Sequence, residues 1–251
     1  MERTMEKIKV TFLGTGDAFG HGGRLQPCVM VQTVSRRFLV DCGATALIAM
    51  NRFEIDPNSI EMILLSHLHG DHFGGLPFFI LDAQLHSKRR SPLTIAGPEG
   101  TDARLTGAME VFFPGSSKIQ QKFPIHIIEL TPQRSWTYKE ITVHPFEVCH
   151  PSGDTALALR LEIGGKTIAF TGDTEWCEAL VPAATKADLL IAEAYFYEKQ
   201  IKYHLNYQTL KNHLNSLQPG KLLITHMSQD MLDHLDRIEE EAAEDGLQIE
   251  I

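Results

Sequence analysis

The chain has 251 residues, with 23 Lys+Arg against 32 Asp+Glu and a net charge of −9. Hydrophobic residues make up 43% and charged residues 22%, as in ordinary globular chains. A chain of this length buries about three quarters of its unfolded surface, so it needs neither disulfides nor a metal merely to fold. Its acidic balance argues against a sequence-independent grip on long nucleic acid, which takes many Lys and Arg.

Four cysteines, Cys28, Cys42, Cys149 and Cys177, are far apart and form no CxxC pair. They read as small buried hydrophobes of a reducing compartment, not as a disulfide or zinc-finger framework. Residues 1–10 are charged and lack an apolar signal-peptide core, and stretches such as 76–81 are too short to span a bilayer. The expectation is a cytoplasmic protein with no membrane partner. Twelve histidines are about double an even share among twenty residue types.

Residues 7–13 read as a strand running into Gly14-Thr15-Gly16-Asp17. Residues 28–34 and 37–40 read as a hairpin ending at Asp41. Residues 44–53 have apolar residues at helical spacing, and 60–65 form a near-continuous apolar run, as in a strand buried on both faces. A helix is expected at 73–85, a strand at 93–96 and a helix at 101–113. Strands follow at 125–130, 136–148, 156–163, 167–171 and 189–192. Asn206 is placed to cap a helix carrying Leu210, Leu214 and Leu217, and 222–225 is a further strand. Asp230 reads as the cap of a last long helix, with Leu232, Leu235 and Ile238 inward, Glu239, Glu240 and Glu241 solvated, and Gly246 past its end. No linker, low-complexity tract or repeat interrupts the chain. The expected fold is α/β: an αββα sandwich of two mixed β-sheets with helices on the outer faces, in one domain over 1–251.

The histidines concentrate in Ser66-His67-Leu68-His69-Gly70-Asp71-His72, directly after the buried strand. Imidazole and carboxylate suit Zn, Mn or Fe(II). A tight loop lets His67 and His69 point one way and Asp71 and His72 another, so four side chains serve two metals.

This segment resembles the signature of the metallo-β-lactamase-fold hydrolases, and further motifs of that family follow its order over residues 8–230. Asp41, in Leu39-Val40-Asp41-Cys42-Gly43, matches a strand-end carboxylate that orients ligands. His150, in Cys149-His150-Pro151-Ser152, matches the third ligand motif. His144 is its rival, but Pro145 follows it mid-segment. Asp173, in Thr171-Gly172-Asp173-Thr174, matches the carboxylate that bridges two metals, and His226, in Ile224-Thr225-His226-Met227-Ser228, matches the last ligand. The resemblance implies one metal on His67, His69 and His150. It implies a second on Asp71, His72 and His226, with Asp173 and a water or hydroxide between them. The expected cofactors are two divalent ions, zinc or manganese, with iron also suited, about 3.5–4 Å apart. Ser66 and Thr225 read as loop hydrogen-bonders.

Ile191-Ala192-Glu193-Ala194, followed by His204-Leu205-Asn206, is similar to the His-Glu-Ala-Thr segment of the ribonuclease Z group and related phosphodiesterases. There a Glu orients a His that protonates the leaving alkoxide, roles that fall here to Glu193 and His204. Ala192 departs from the motif's first position. Only 22 residues lie between His150 and Asp173, nearly all in an expected hairpin, which leaves no room for the long basic tRNA-gripping arm of ribonuclease Z. The chain therefore resembles the compact, armless phosphodiesterases that act on cyclic phosphates, relatives that tend to form dimers. The expected function is a binuclear metal-dependent phosphodiesterase for a small anionic or cyclic phosphodiester. A metal-activated hydroxide would attack phosphorus, Asp71 and Asp173 would serve at the metals, and His204 would act as general acid, oriented by Glu193. A homodimer is expected by the same resemblance. The rivals are a thioesterase or lactonase on the same metals, a tRNA 3′-processing endonuclease, and a non-catalytic metal-binding protein.

The loop 14–24 is rich in glycine, which lets backbone approach a ligand. It lacks the Gly-Lys-Ser/Thr of a P-loop and the spacing of a dinucleotide fingerprint. Within it, His21 or Arg24 is a candidate for contacting a substrate anion. His86, His126, His144, His213 and His234 are expected at the surface or in packing.

Overall fold

The structure, a computed structural model, describes residues 7–153 and 155–251. The apolar alternation along the chain resolves into two seven-stranded sheets. The first collects β1 (Lys9–Gly14), β2 (Cys28–Gln32), β3 (Arg37–Val40), β4 (Met62–Leu64), β5 (Leu93–Pro98) and β6 (Ile125–Leu130). The second holds β7 (Trp136–Tyr138), β8 (Ile141–Val148), β9 (Ala156–Ile163), β10 (Lys166–Phe170), β11 (Leu189–Glu193), β12 (Lys221–Thr225) and β13 (Glu241–Ala242). The chain then returns to the first sheet as β14 (Gln248–Glu250), which pairs antiparallel with β1. The orders are β14-β1-β2-β3-β4-β5-β6 and β13-β12-β11-β10-β9-β8-β7. Both sheets are mixed: β3 to β6 and β10 to β13 run parallel, and the remaining pairs run antiparallel.

Strand parity explains the layers. Val40, Leu64, Ile168 and Ile191 share the core between the sheets. Their strand neighbours point the opposite way. Leu39, Ile63 and Ile95 meet α1 (Ala46–Arg52), α3 (Leu76–Leu85) and α4 (Thr101–Phe112) through Met50, Phe79 and Leu105. Ala169, Leu190 and Ala192 meet α5 (Leu180–Ala184) and α6 (Tyr207–Leu217) through Ala184, Leu210 and Leu217. This is the expected αββα sandwich.

Several boundaries differ from the sequence reading. The expected strand 136–148 is a hairpin, β7–β8, turned at Lys139 with φ of 54°. The expected helix 73–85 begins at Leu76 as α3; Phe73 instead closes a short α2 (Gly70–Phe73) that carries Asp71 and His72, and Gly74-Gly75 separates the two. The last long helix is absent. In its place stand α7 (Gln229–Leu232), a 3-10 turn at Leu235–Arg237, and β13. Ser228, not Asp230, precedes α7, and the Asp230 carboxylate instead accepts from Tyr197 N. Leu232, Leu235 and Ile238 do pack inward against Ile224 and Met231, so the apolar spacing reported burial without a continuous helix. Cys28 and Cys42 are buried as expected, and burial pushes both thiols up. Cys149 is exposed and Cys177 half-buried. No helix of the described residues is long and apolar enough to cross a membrane.

Candidate metal centre

The candidate metal ligands, with Asp41 and Glu193, stand at or just past the ends of strands from both sheets. Asp41 follows β3, the Ser66–His72 segment follows β4, His150 follows β8, and Asp173 follows β10. Glu193 closes β11, and His226 follows β12. Asp41 and His226 have left-handed backbones, with φ of 60° and 55°, an uncommon choice for non-glycine residues that recurs at functional sites.

Two groups of ligand atoms cover the seven ligands read from the sequence. His67, His69 and His150 form one, and Asp71, His72, Asp173 and His226 form the other. His204 joins two further overlapping groups, with His150 and Asp173 and with Glu193 and His226. His69 Nδ1 and His150 Nε2 are 3.0 Å apart. His72 Nε2 lies 3.4 Å from both His226 Nε2 and Asp71 Oδ2. Asp173 lies between the groups. Its Oδ1 is 3.2 Å from His72 Nε2, and its Oδ2 is 3.4 Å from His226 Nε2, 3.9 Å from His67 Nε2 and 4.0 Å from His150 Nε2.

Outer hydrogen bonds decide which ring nitrogen faces the centre. Buried Asp41 accepts Ser66 N at 2.7 Å, Ser66 Oγ at 2.8 Å and His72 Nδ1 at 2.6 Å. Since Ser66 Oγ donates to Asp41, it accepts from His67 Nδ1 at 3.0 Å. His150 Nδ1 donates to the carbonyl of Tyr203 at 2.9 Å. In the neutral rings this leaves Nε2 of His67, His72 and His150 without a proton and turned inward, the arrangement metal-ligating histidines adopt. Buried His67 Nε2 has no hydrogen-bond partner. Bare nitrogens aimed at one another are costly unless a cation lies between them, so the donor set fits metal binding.

The electrostatics agree. Burial lowers the pKa of His67 and His150 and favours their neutral, ligating form. Burial would raise that of Asp71, but hydrogen bonds from His226 and His72 hold it well below the carboxylate range. Burial would lower that of His226, yet Asp173, Asp71 and Glu193 hold it at about 10. The carboxylates thus demand positive charge, which divalent cations would meet with the rings neutral.

Beside this centre, His204 Nδ1 lies 2.9 Å from Glu193 Oε2. Buried Glu193 also accepts the backbone N–H of Thr174 and, at 3.2 Å, that of Leu205. One carboxylate therefore ties the loop after β10 to the segment entering α6. Asn206 caps α6 as read from the sequence, accepting Thr209 N at 2.8 Å. The cleft over the centre, about 140 Å³, is lined by Ala18, Phe19, His69, Asp71, His150, Asp173, Tyr195, His204 and His226.

His21 and Arg24 do not line it. The His21 ring meets Asp17 at 2.6 Å, and Arg24 Nη1 donates to Thr15 Oγ1 and the carbonyl of Ala243. The loop enters the cleft through Ala18 and Phe19 instead. The sequence reading missed Phe19 and Tyr195. The signal for Tyr195 was its place two residues after Glu193; nothing local marked Phe19. His213 stacks on Trp176 at 3.5 Å and His234 on Tyr197 at 4.7 Å, and His144 lies 3.5 Å from Glu162, all packing or surface roles as expected.

The family described as Anti-Pycsar protein Apyc1 matches residues 8–244. The chain belongs to that family. This Apyc1-family protein is also 26% identical to the Ribonuclease Z of Mycobacterium sp. (strain KMS) over 238 residues, covering 87% of this chain and 84% of the relative. The Ribonuclease Z of Methanosarcina acetivorans is 26% identical over 305 residues, 97% of this chain and 98% of the relative. That stretch is longer than this whole chain, so the relative carries insertions. Among solved structures, human tRNase Z, short form (ELAC1), superposes with a TM-score of 0.79 at 26% identity, covering 96% of this chain and 98% of its own. The metallo-beta-lactamase fold protein YhfI from Bacillus subtilis does so with 0.77 at 25%, covering 98% and 100%. The chain is a metallo-β-lactamase-fold hydrolase of the ribonuclease Z-like branch.

Proposed function

We propose that this protein is a metal-dependent phosphodiesterase acting on small or cyclic phosphodiesters. The observation that carries the reading is the Glu193–His204 pair beside the His/Asp cluster. An alkoxide leaving from phosphorus is a poor leaving group and needs a proton donor; the thiolate of a thioester makes less demand for one. His204 Nδ1 is occupied by Glu193, so Nε2 is the donor. Burial works against the charged ring, but Glu193 and Asp173 outweigh it and raise its pKa, which keeps a proton available near neutrality. His67, His69 and His150 would hold one cation, Asp71, His72 and His226 a second, with Asp173 shared. Two divalent ions there, zinc, manganese or iron by their donor chemistry, would acidify water and offset the charge of the phosphate. Asp71, which lines the cleft, would hold a cation and help take up the proton of the attacking water. A cytoplasmic setting, one domain over 1–251 and a homodimer belong to the same reading.

A second reading, tRNA 3′ processing, is favoured by the ribonuclease Z relatives. Against it stand the net charge of −9 and the 22-residue interval between His150 and Asp173, filled by the β9–β10 hairpin. The test is a metal-reconstituted assay on bis-nitrophenyl phosphate, cyclic nucleotides, cyclic ribose phosphates, a thioester, a lactone and a precursor tRNA. Turnover of the small phosphodiesters alone supports the proposal. Cleavage of the tRNA alone, with steep salt dependence, supports the second reading. His204→Ala should slow alkyl phosphodiesters by about 10²–10⁴-fold and nitrophenyl esters far less. Equal losses on both would remove His204 from the acid role.

A further inference from the structure

Asp17 is fully buried and belongs to neither metal group. Its Oδ1 accepts the backbone N–H of Phe19 and of His21, each at 3.2 Å. Its Oδ2 accepts the Tyr195 hydroxyl at 3.3 Å and the His21 ring at 2.6 Å. One carboxylate therefore clasps the tip of the loop after β1 to Tyr195. The base of that loop is fixed as well: Asp245 accepts Thr15 N, Thr15 Oγ1 and Leu25 N at 2.9, 2.8 and 2.7 Å.

What this anchoring presents is Phe19, 76% exposed, in the wall of the cleft that also holds Asp71, Asp173, Tyr195 and His204. A single exposed phenyl on a free loop is ordinary. Here a buried carboxylate holds one at the mouth of a metal cleft, across a wall where the Tyr195 and His204 rings lie 4.8 Å apart at 30°. The two basic side chains of the loop, His21 and Arg24, are turned to structural partners, so the loop offers a flat apolar face and not an anion grip. Such a face gains by stacking on any planar ring and little on an aliphatic or sugar group.

We propose that Phe19, positioned by Asp17, is a stacking platform that selects phosphodiesters carrying a planar ring, a nucleobase or aryl group, close to the phosphorus. This rests on the phosphodiesterase reading above and adds to it a residue that sets specificity.

The experiment compares kcat/KM for a nucleoside cyclic phosphate with that for the same cyclic ribose phosphate without its base, on the metal-loaded enzyme. In Phe19→Ala the ratio should fall about tenfold, chiefly through KM on the base-bearing substrate, and Phe19→Tyr should restore it. A ratio unchanged in Phe19→Ala, whatever the absolute rates, overturns the proposal. So does a wild-type preference for the base-free substrate. If the wild type turns over neither substrate, the phosphodiesterase reading fails by itself. Phe19 is then decided by calorimetric titration with a nucleoside monophosphate: weaker binding to Phe19→Ala supports the platform, and equal binding overturns it.

Discussion

Asp41 touches no substrate, yet it holds three donors at once, Ser66 N, Ser66 Oγ and His72 Nδ1. Asp41→Ala would leave all three buried without an acceptor, at about 1–3 kcal/mol for each group. It would also free the His72 ring to turn. The expected outcome is a 10–100-fold loss of metal affinity, read by competition with a chelator, together with a lower urea midpoint. Unchanged affinity would show that Asp41 does not orient the ligand. Residues of this kind were legible because the ligand motif is nearly contiguous, and because Asp41, His150, Asp173 and His226 each close a run of strand-forming residues. Phe19 and Asp17 were not. Their roles arise from a contact between residues 17 and 195 that no local pattern encodes. Naming His21 or Arg24 as a candidate for a substrate anion read their charge without their partners, Asp17 for the one and Thr15 and the Ala243 carbonyl for the other.

At the scale of elements, the segment from β11 into α6 does the most positioning. Glu193 ends the strand, Leu205 N and His204 return to its carboxylate, and Asn206 then starts the helix. Asn206→Ala should cost about 1 kcal/mol of stability, measured by denaturant unfolding. If the helix start fixes His204, activity on alkyl phosphodiesters should fall by more than metal binding does. Equal falls would mean that the cap serves stability alone. The cap was legible because Asn directly ahead of the helical spacing of Leu210, Leu214 and Leu217 is a local signature. The end of the chain was not legible. Leu232, Leu235 and Ile238 are spaced as on a helix, but Glu241 and Ala242 pair with Leu223 and Ile224 of β12, and the Tyr207 hydroxyl donates to Glu240. Tertiary pairing overrode local propensity there.

At the scale of the whole molecule, the centre joins both sheets, since Asp41 and residues 66–72 come from the first and His150, Asp173 and His226 from the second. Removing the metals should therefore lower global stability, by about 2.7 kcal/mol if they had been present at 100 times their Kd. In the chelated protein Asp71 and Asp173 titrate well below the usual range. Their contribution is present above about pH 4 and lost as the pH falls below it. His72 and His226 are raised, so their contribution is full below about pH 6.5 and lost as the pH rises through about 10 for His226. The urea midpoint of the chelated protein should decline on both sides, and added zinc should flatten the alkaline side, where cations replace the ring protons. An alkaline decline unaffected by zinc would contradict the assignment of those rings as ligands. The two-sheet architecture itself was legible from alternating and continuous apolar runs, but the closing pair, β13 and β14, was too short to show. Those last strands have a further consequence. β13 is outermost in one sheet and β14 outermost in the other, so residues 241–250 shield the unpaired backbone on the same flank of both. A chain shortened at that point would leave β1 and β12 as open edges able to recruit strands from other copies. Its failure would then be self-association, before any ligand of the metal centre had been touched.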